Sequence, residues 1–256
     1  MLTWLSVLAV LFQAHAAPSH ETQAMPERAV PAPSDSVRVV ELFTSQGCPL
    51  CPSANQLLAE FGAEENVIAL AWGVNYWDAY GWTDQFAMPE FVDRQKAYVE
   101  AGEAMRVYTP HFVLNGAPEQ LRFDPDRISA AFNASPPIRA ARIEETGTGA
   151  LTLALTGERA TPAEIWIVQY EPGVQTRQIE SGRNAGLRMT HFNMVRAVEK
   201  LADWTGGDAA YVLPEPADDL DAVVLVQDGP GGRILTAARL AGEMSFLDYA
   251  WMGGWR

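Results

Sequence analysis

From Val37 to Thr44 the chain is apolar and β-branched around one acid, Glu41, which predicts a largely buried strand. Ser45-Gln46-Gly47 ends it. Ala54, Leu57, Leu58 and Phe61 then recur at helical spacing, and Gly62 follows as a stop signal. Val67 to Val74 is a second buried strand, and Pro89 opens a helix through Glu90, Phe91, Arg94, Tyr98 and Ala101. Tyr108-Thr109-Pro110 precedes a strand, His111 to Leu114, and Asn115-Gly116 is a tight-turn signal. Asp124-Pro125 caps a helix through Ile128 and Phe132. From Ile138 the pattern turns β-rich: Leu151 to Leu155 alternates, and Ile165 to Val168 and Ala222 to Val226 are strand-like. Short strands between Gly and Pro turns predict a small β-sandwich. Met189 to Trp204 fits two patterns, a helix through Phe192, Val195, Val198 and Leu201, or a strand beginning at His191.

Leu2 to Phe12 is an apolar run too short to span a bilayer, and Ala14-His15-Ala16 supplies a small-x-small cleavage pattern, so residues 1–16 read as a signal peptide. Residues 17–35, with Pro18, Pro26, Pro31 and Pro33 and no apolar periodicity, read as a disordered linker. Ser135-Pro136-Pro137 marks a further break, giving a first lobe at 36–135 and a β-rich second lobe at 138–256. The mature protein is expected in an oxidising space, the periplasm or outside the cell. Among 256 residues, 18 Lys+Arg face 32 Asp+Glu for a net charge of −14, which argues against nucleic acid, a partner bound chiefly through basic side chains. Nothing after residue 16 offers the apolar run that a stable membrane span needs.

The order β, α, β, α, Thr-Pro, β, turn, short β, α is similar to that of the thioredoxin fold. Cys48-Pro49-Leu50-Cys51 falls at the first strand-to-helix junction, and Pro110 just before the third strand. The expected fold class is therefore α/β, a thioredoxin-like N-terminal domain followed by a mainly-β, sandwich-like C-terminal domain. Glu-Leu-Phe-Thr-Ser-Gln-Gly-Cys at 41–48, Tyr-Trp-Asp with Gly-Trp at 76–82, Tyr-Thr-Pro at 108–110 and Asn-Gly at 115–116 resemble a family of predicted secreted, thioredoxin-like proteins of unknown function with a CxxCP motif. The likeness continues through Gly182-Arg183-Asn184-Ala185-Gly186 and His191. It implies fold and compartment but no substrate.

Cys48 and Cys51 are the only cysteines. A helix N-terminus favours a thiolate through its free N–H groups and partial positive charge, and a second cysteine one turn on can resolve a mixed disulfide. Cys48 is read as nucleophile and Cys51 as resolver. As a staple the pair would be weak, because loop-closure stabilisation shrinks with loop length. By resemblance, a buried acid sits near here in thioredoxins, which makes Glu41 a candidate proton acceptor for Cys51, with an ion pair as its other role. By the same resemblance Pro110 is a cis-proline, and Thr109 offers its backbone to a substrate chain. Trp77 and Trp82, with Tyr76 and Tyr80, form either a substrate rim guided by Asp78 and Asp84 or packing between the lobes. Arg183-Asn184, in a Gly-flanked loop, serves turn formation, lobe contact or anion binding.

The expected function is thiol-disulfide oxidoreduction on cysteines of exported proteins, redox-active through the Cys48–Cys51 disulfide, with a redox recycling partner and no bound cofactor. One alternative is a copper or zinc carrier using Cys48, Cys51 and His111. Another is a redox-silent thioredoxin-like binding module.

Overall fold

The computed structural model describes residues 35–102, 106–118 and 123–240. The expected signal peptide, and all of the expected linker but Asp35, lie outside them. The first strand β1 (Ser36–Thr44) leads to helix α1 (Cys51–Gly62) and strand β2 (Val67–Gly73). Helix α2 (Pro89–Ala101), β3 (His111–Leu114), β4 (Ala117–Pro118) and α3 (Pro125–Ala134) follow. The remainder is β: β5 (Ile138–Ala140), β6 (Arg142–Glu145), β7 (Leu151–Leu155), β8 (Ala163–Gln178), β9 (Arg188–Trp204), β10 (Ala209–Val212), β11 (Asp221–Gln227) and β12 (Ile234–Arg239). No described helix is long and apolar enough to cross a membrane.

The local signals act through ordinary chemistry. Pro52 starts α1 where a missing N–H costs nothing. The Asp124 carboxylate caps α3 by accepting from the N–H groups of Asp126 and Arg127. Asn115 and Gly116, both left-handed, make the tight turn into β4. Met189 to Trp204 resolves as strand, a long arm antiparallel to β8.

The thioredoxin-like α/β expectation is corrected by the sheet. Strands from both sides of Ser135-Pro136-Pro137 share it, and seven of them, β1-β2-β9-β8-β11-β12-β5, close into a barrel. Closure runs through β2 with β9 at Ala71 and Met194, and through β5, which pairs with β12 on one side and Ser36-Val37 of β1 on the other. Both edges of the β1–β2 pair are thereby taken up, β3–β4 branches from the later part of β1, and the described residues are mostly β with three α-helices. The reason is the length of β8 and β9. A two-lobe reading treats them as local hairpins, but at 16 and 17 residues they reach from the barrel wall to the start of α1. Among the described residues no separate β-sandwich forms; β6, β7 and β10 make a small sheet packed outside the barrel through Leu153, Leu155, Ile165 and Val224.

The barrel interior holds Val39, Phe43, Leu70, Trp72, Val168, Val195 and Leu225, and α2 packs into it with Phe91 and Tyr98. On the opposite face of β1 and β2, α1 and α3 cover Val40, Leu42, Ala69 and Ala71. Gly62 is dictated by this packing, because a Cβ there would lie 2.4 Å from the Phe192 ring of β9. The end of α1 is therefore pressed onto β9, which carries the β8–β9 connection over the start of the same helix.

A covered disulfide at a helix start: the candidate functional site

Cys48 and Cys51 are joined by a disulfide, with Cα atoms 5.3 Å apart. Cys51 is the first residue of α1, whose first turn carries no acid to weaken the positive end of the helix. Cys48 lies just before it, in a turn closed by its own N–H donating to the Ser45 carbonyl and its carbonyl accepting from Cys51. The dipeptide between them projects into solvent, with Leu50 55% exposed. The cysteines themselves are buried, Cys48 at 1% and Cys51 at 0% exposure.

Their cover comes from two directions. Trp77 and Trp82 of the aromatic loop pack on one side, and Ile179 and Met189, which flank the turn between β8 and β9, on the other. Trp77 also joins the cysteines to the Thr109-Pro110 segment, its indole N–H donating to Thr109 Oγ1 at 2.6 Å. The Thr109–Pro110 bond is cis. Trp82 donates to Gln46 Oε1 at 2.7 Å, fixing the loop that leads into Cys48.

Asp84 anchors that loop. It is almost fully buried and accepts from the N–H groups of Gln46 at 2.7 Å and Phe86 at 2.9 Å. Burial raises its pKa to about 6, with the Asp78 charge adding to the effect and the two backbone donors opposing it. Asp78 Oδ1 in turn accepts from the Asp84 N–H.

Two candidates fall elsewhere. Glu41 is 0% exposed and faces α2, away from α1: Arg94 Nε donates to it at 2.7 Å, and the Tyr98 hydroxyl donates to its other oxygen. Its position on β1 places it on the face opposite the one that α1 covers. His111 also faces that side, stacked on Phe43 and beside Tyr108 and Gln95, and burial lowers its pKa to about 4. Among the described residues, no group of three or more His, Cys, Asp and Glu is placed to hold a metal ion. The structure thus brings Cys48, Cys51, Trp77, Trp82 and Thr109 together and separates Glu41 and His111 from them.

Sequence reasoning gave Asp84 only a guiding role and left Asn184 among several. The Asn184 amide donates to the carbonyls of Gln46, at 2.8 Å, and Cys48, at 2.9 Å. A polar residue between two glycines was visible, but its partners lie more than 130 residues away in the chain.

The pattern of one protein family matches residues 39–227. The chain belongs to DUF1223, a family of proteins of unknown function. Its barrel is similar to the crystal structure of protein AGR_C_4864 from Agrobacterium tumefaciens, at 27% identity and a TM-score of 0.64, covering 83% of this chain and 97% of that one. It also resembles, in fold alone, HBP35 of Porphyromonas gingivalis, at 15% identity and a TM-score of 0.51, covering 82% and 79%. No curated protein matches the chain. Family membership in DUF1223 assigns no oxidoreductase activity, and the thioredoxin-like label falls with the corrected fold.

Proposed function

We propose that this DUF1223 protein is an exported thiol-disulfide exchange protein acting on cysteines of other exported proteins. The observation that carries the reading is the Cys48–Cys51 disulfide at the N-terminus of α1, where the helix favours a thiolate and the loop it closes is too short to be an effective staple.

A substrate thiolate attacks Cys48 Sγ, the Cys48–Cys51 bond breaks, and Cys51 leaves as a thiolate that takes up a proton. A second substrate thiolate then attacks the substrate's own sulfur in the mixed disulfide and expels the Cys48 thiolate. The substrate leaves oxidised by two electrons and the pair is left as a dithiol. The reverse sequence reduces a substrate disulfide, with Cys48 attacking and Cys51 resolving. A dithiol/disulfide partner restores the starting state in either direction.

The protein's own groups position these steps. Asp84 and Trp82 hold Gln46 through its backbone N–H and its side-chain oxygen, so Cys48 is presented from a fixed loop. Trp77, bridging the disulfide and Thr109, gives an incoming chain an aromatic wall beside the Thr109-Pro110 segment that leads into β3.

The test is trapping. Cys51→Ser, expressed in the exporting cell, is expected to accumulate mixed disulfides on Cys48, and Cys48→Ser to accumulate none there. Absence of trapped partners with Cys51→Ser under both oxidising and reducing growth would remove the reading.

A further inference from the structure

We infer that the turn between β8 and β9, residues Ile179–Leu187, is a lid that closes the Cys48–Cys51 disulfide to substrates and must lift before exchange. This deepens the exchange reading and rests on it.

A sulfur attacked in line needs an open approach, yet neither cysteine is more than 1% exposed. What covers them is a chain segment far away in sequence. Ile179 and Met189, at the two feet of the turn, pack on the disulfide. Between them Asn184 donates to the Gln46 and Cys48 carbonyls, so one side chain bridges the cover to the residue whose sulfur is to be attacked. Ser181 Oγ donates to the Gly81 carbonyl at 2.6 Å, and the Arg183 guanidinium lies 4.4 Å from the Tyr80 ring centroid. Gly182 fits against Trp82, where a Cβ would approach the Trp82 Cβ to 3.0 Å, and its φ of +73° suits glycine.

The attachments are those of a reversible cover. The tip is held by three side-chain hydrogen bonds to backbone carbonyls and one stacked cation, and Ser181, Arg183, Ala185, Gly186 and Leu187 all face solvent. Such bonds contribute modestly each, so opening is accessible without unfolding the barrel that anchors β8 and β9. The aromatic loop is the other half of the closure: Gly81 and Tyr80 receive the tip, while Trp77 and Trp82 of the same loop pack against the cluster of Cys48, Cys51, Ile179 and Met189. A partner that engages the exposed Tyr80 ring therefore competes with Arg183 of the lid for it.

The test is the rate at which reduced glutathione reduces the oxidised full chain, followed by acid quench and maleimide labelling. Ser181→Ala/Asn184→Ala removes all three hydrogen bonds and is expected to raise the rate about tenfold or more, with Ser181→Ala alone, remote from the cysteines, giving a several-fold increase. Ser181→Ala keeps the test open if the double variant folds poorly. Rates within twofold of the parent in both variants overturn the lid. The equilibrium between the pair and glutathione is read in the same samples and depends only on the end states. Faster variants whose pair resists glutathione at equilibrium leave the lid standing and remove the exchange reading beneath it.

Discussion

Glu41→Gln is the substitution that most sharply separates the two roles its carboxylate was offered. In the structure the carboxylate is fully buried and holds the guanidinium of Arg94, itself only 8% exposed at its side chain, together with the Tyr98 hydroxyl. Arg94 also donates to Gln227 and lies over the rings of Trp72 and Tyr98, so these contacts hold its guanidinium in a largely buried place when its counter-charge goes. Removing one partner of a buried pair leaves an uncompensated charge and costs about 3–5 kcal/mol. With a urea m-value of about 2 kcal/mol/M, the unfolding midpoint falls by roughly 1.5–2.5 M. Glu41→Leu combined with Arg94→Met removes both charges and is expected to recover most of the loss. Exchange by the folded Glu41→Gln protein, measured well below its midpoint, is expected to keep the parent's rate and pH profile, because the carboxylate faces α2 and not α1. A midpoint shift under roughly 0.5 M, or a slowed resolution step in the folded variant, would refute the structural role and restore Glu41 as a proton acceptor.

Three further outcomes follow from the same geometry. His111 and His191 are buried with pKa values lowered to about 4, a difference from 6.5 that makes each neutral ring worth about 3 kcal/mol above pH 6.5, lost as pH falls toward 4. Asp84, raised from 3.8 to about 6, acts with the opposite sign and returns about 3 kcal/mol over the same interval, so urea unfolding at pH 4 should show a net loss of roughly 3–4 kcal/mol against pH 7; an unchanged midpoint would contradict the burial of both imidazoles. Asp84→Ala, which leaves the buried Gln46 and Phe86 N–H groups without their acceptor, is expected to cost about 2–4 kcal/mol, and Asp84→Asn, which keeps an acceptor oxygen, about half as much by the same denaturation assay. Trp77→Phe should lose about 1 kcal/mol with the Thr109 bond while retaining most of the aromatic cover, whereas Trp77→Ala should in addition raise the glutathione reduction rate.

The residues that close short-range structure were legible in the sequence. Ala54, Leu57, Leu58 and Phe61 place α1, Asn115-Gly116 makes its turn, Asp124 caps α3, and the CxxC falls at the start of a helix, because each signal is satisfied within a few residues. What failed depends on pairings across the chain. Barrel closure needs Ala71 beside Met194 and Ser36 beside Arg139, and no local pattern specifies either. The pattern at Met189 to Trp204 was divided because β9 buries both faces at its start, so its alternation is blurred. Glu41 had two readings, proton acceptor or ion pair, and the choice between them rests on which face of β1 it takes, which here is the α2 face with Arg94. Asn184 carried its only hint in the flanking glycines, and its use emerges only once β8 and β9 bring the turn over Cys48.

The central claim, that Cys48 and Cys51 exchange electrons with other proteins, is tested most directly by the reduction potential of the pair, obtained by equilibrating the protein with glutathione redox buffers. Exchange predicts a value between roughly −120 and −270 mV, the span of dedicated exchange proteins. A value below about −300 mV, the range of structural disulfides in secreted proteins, would contradict it.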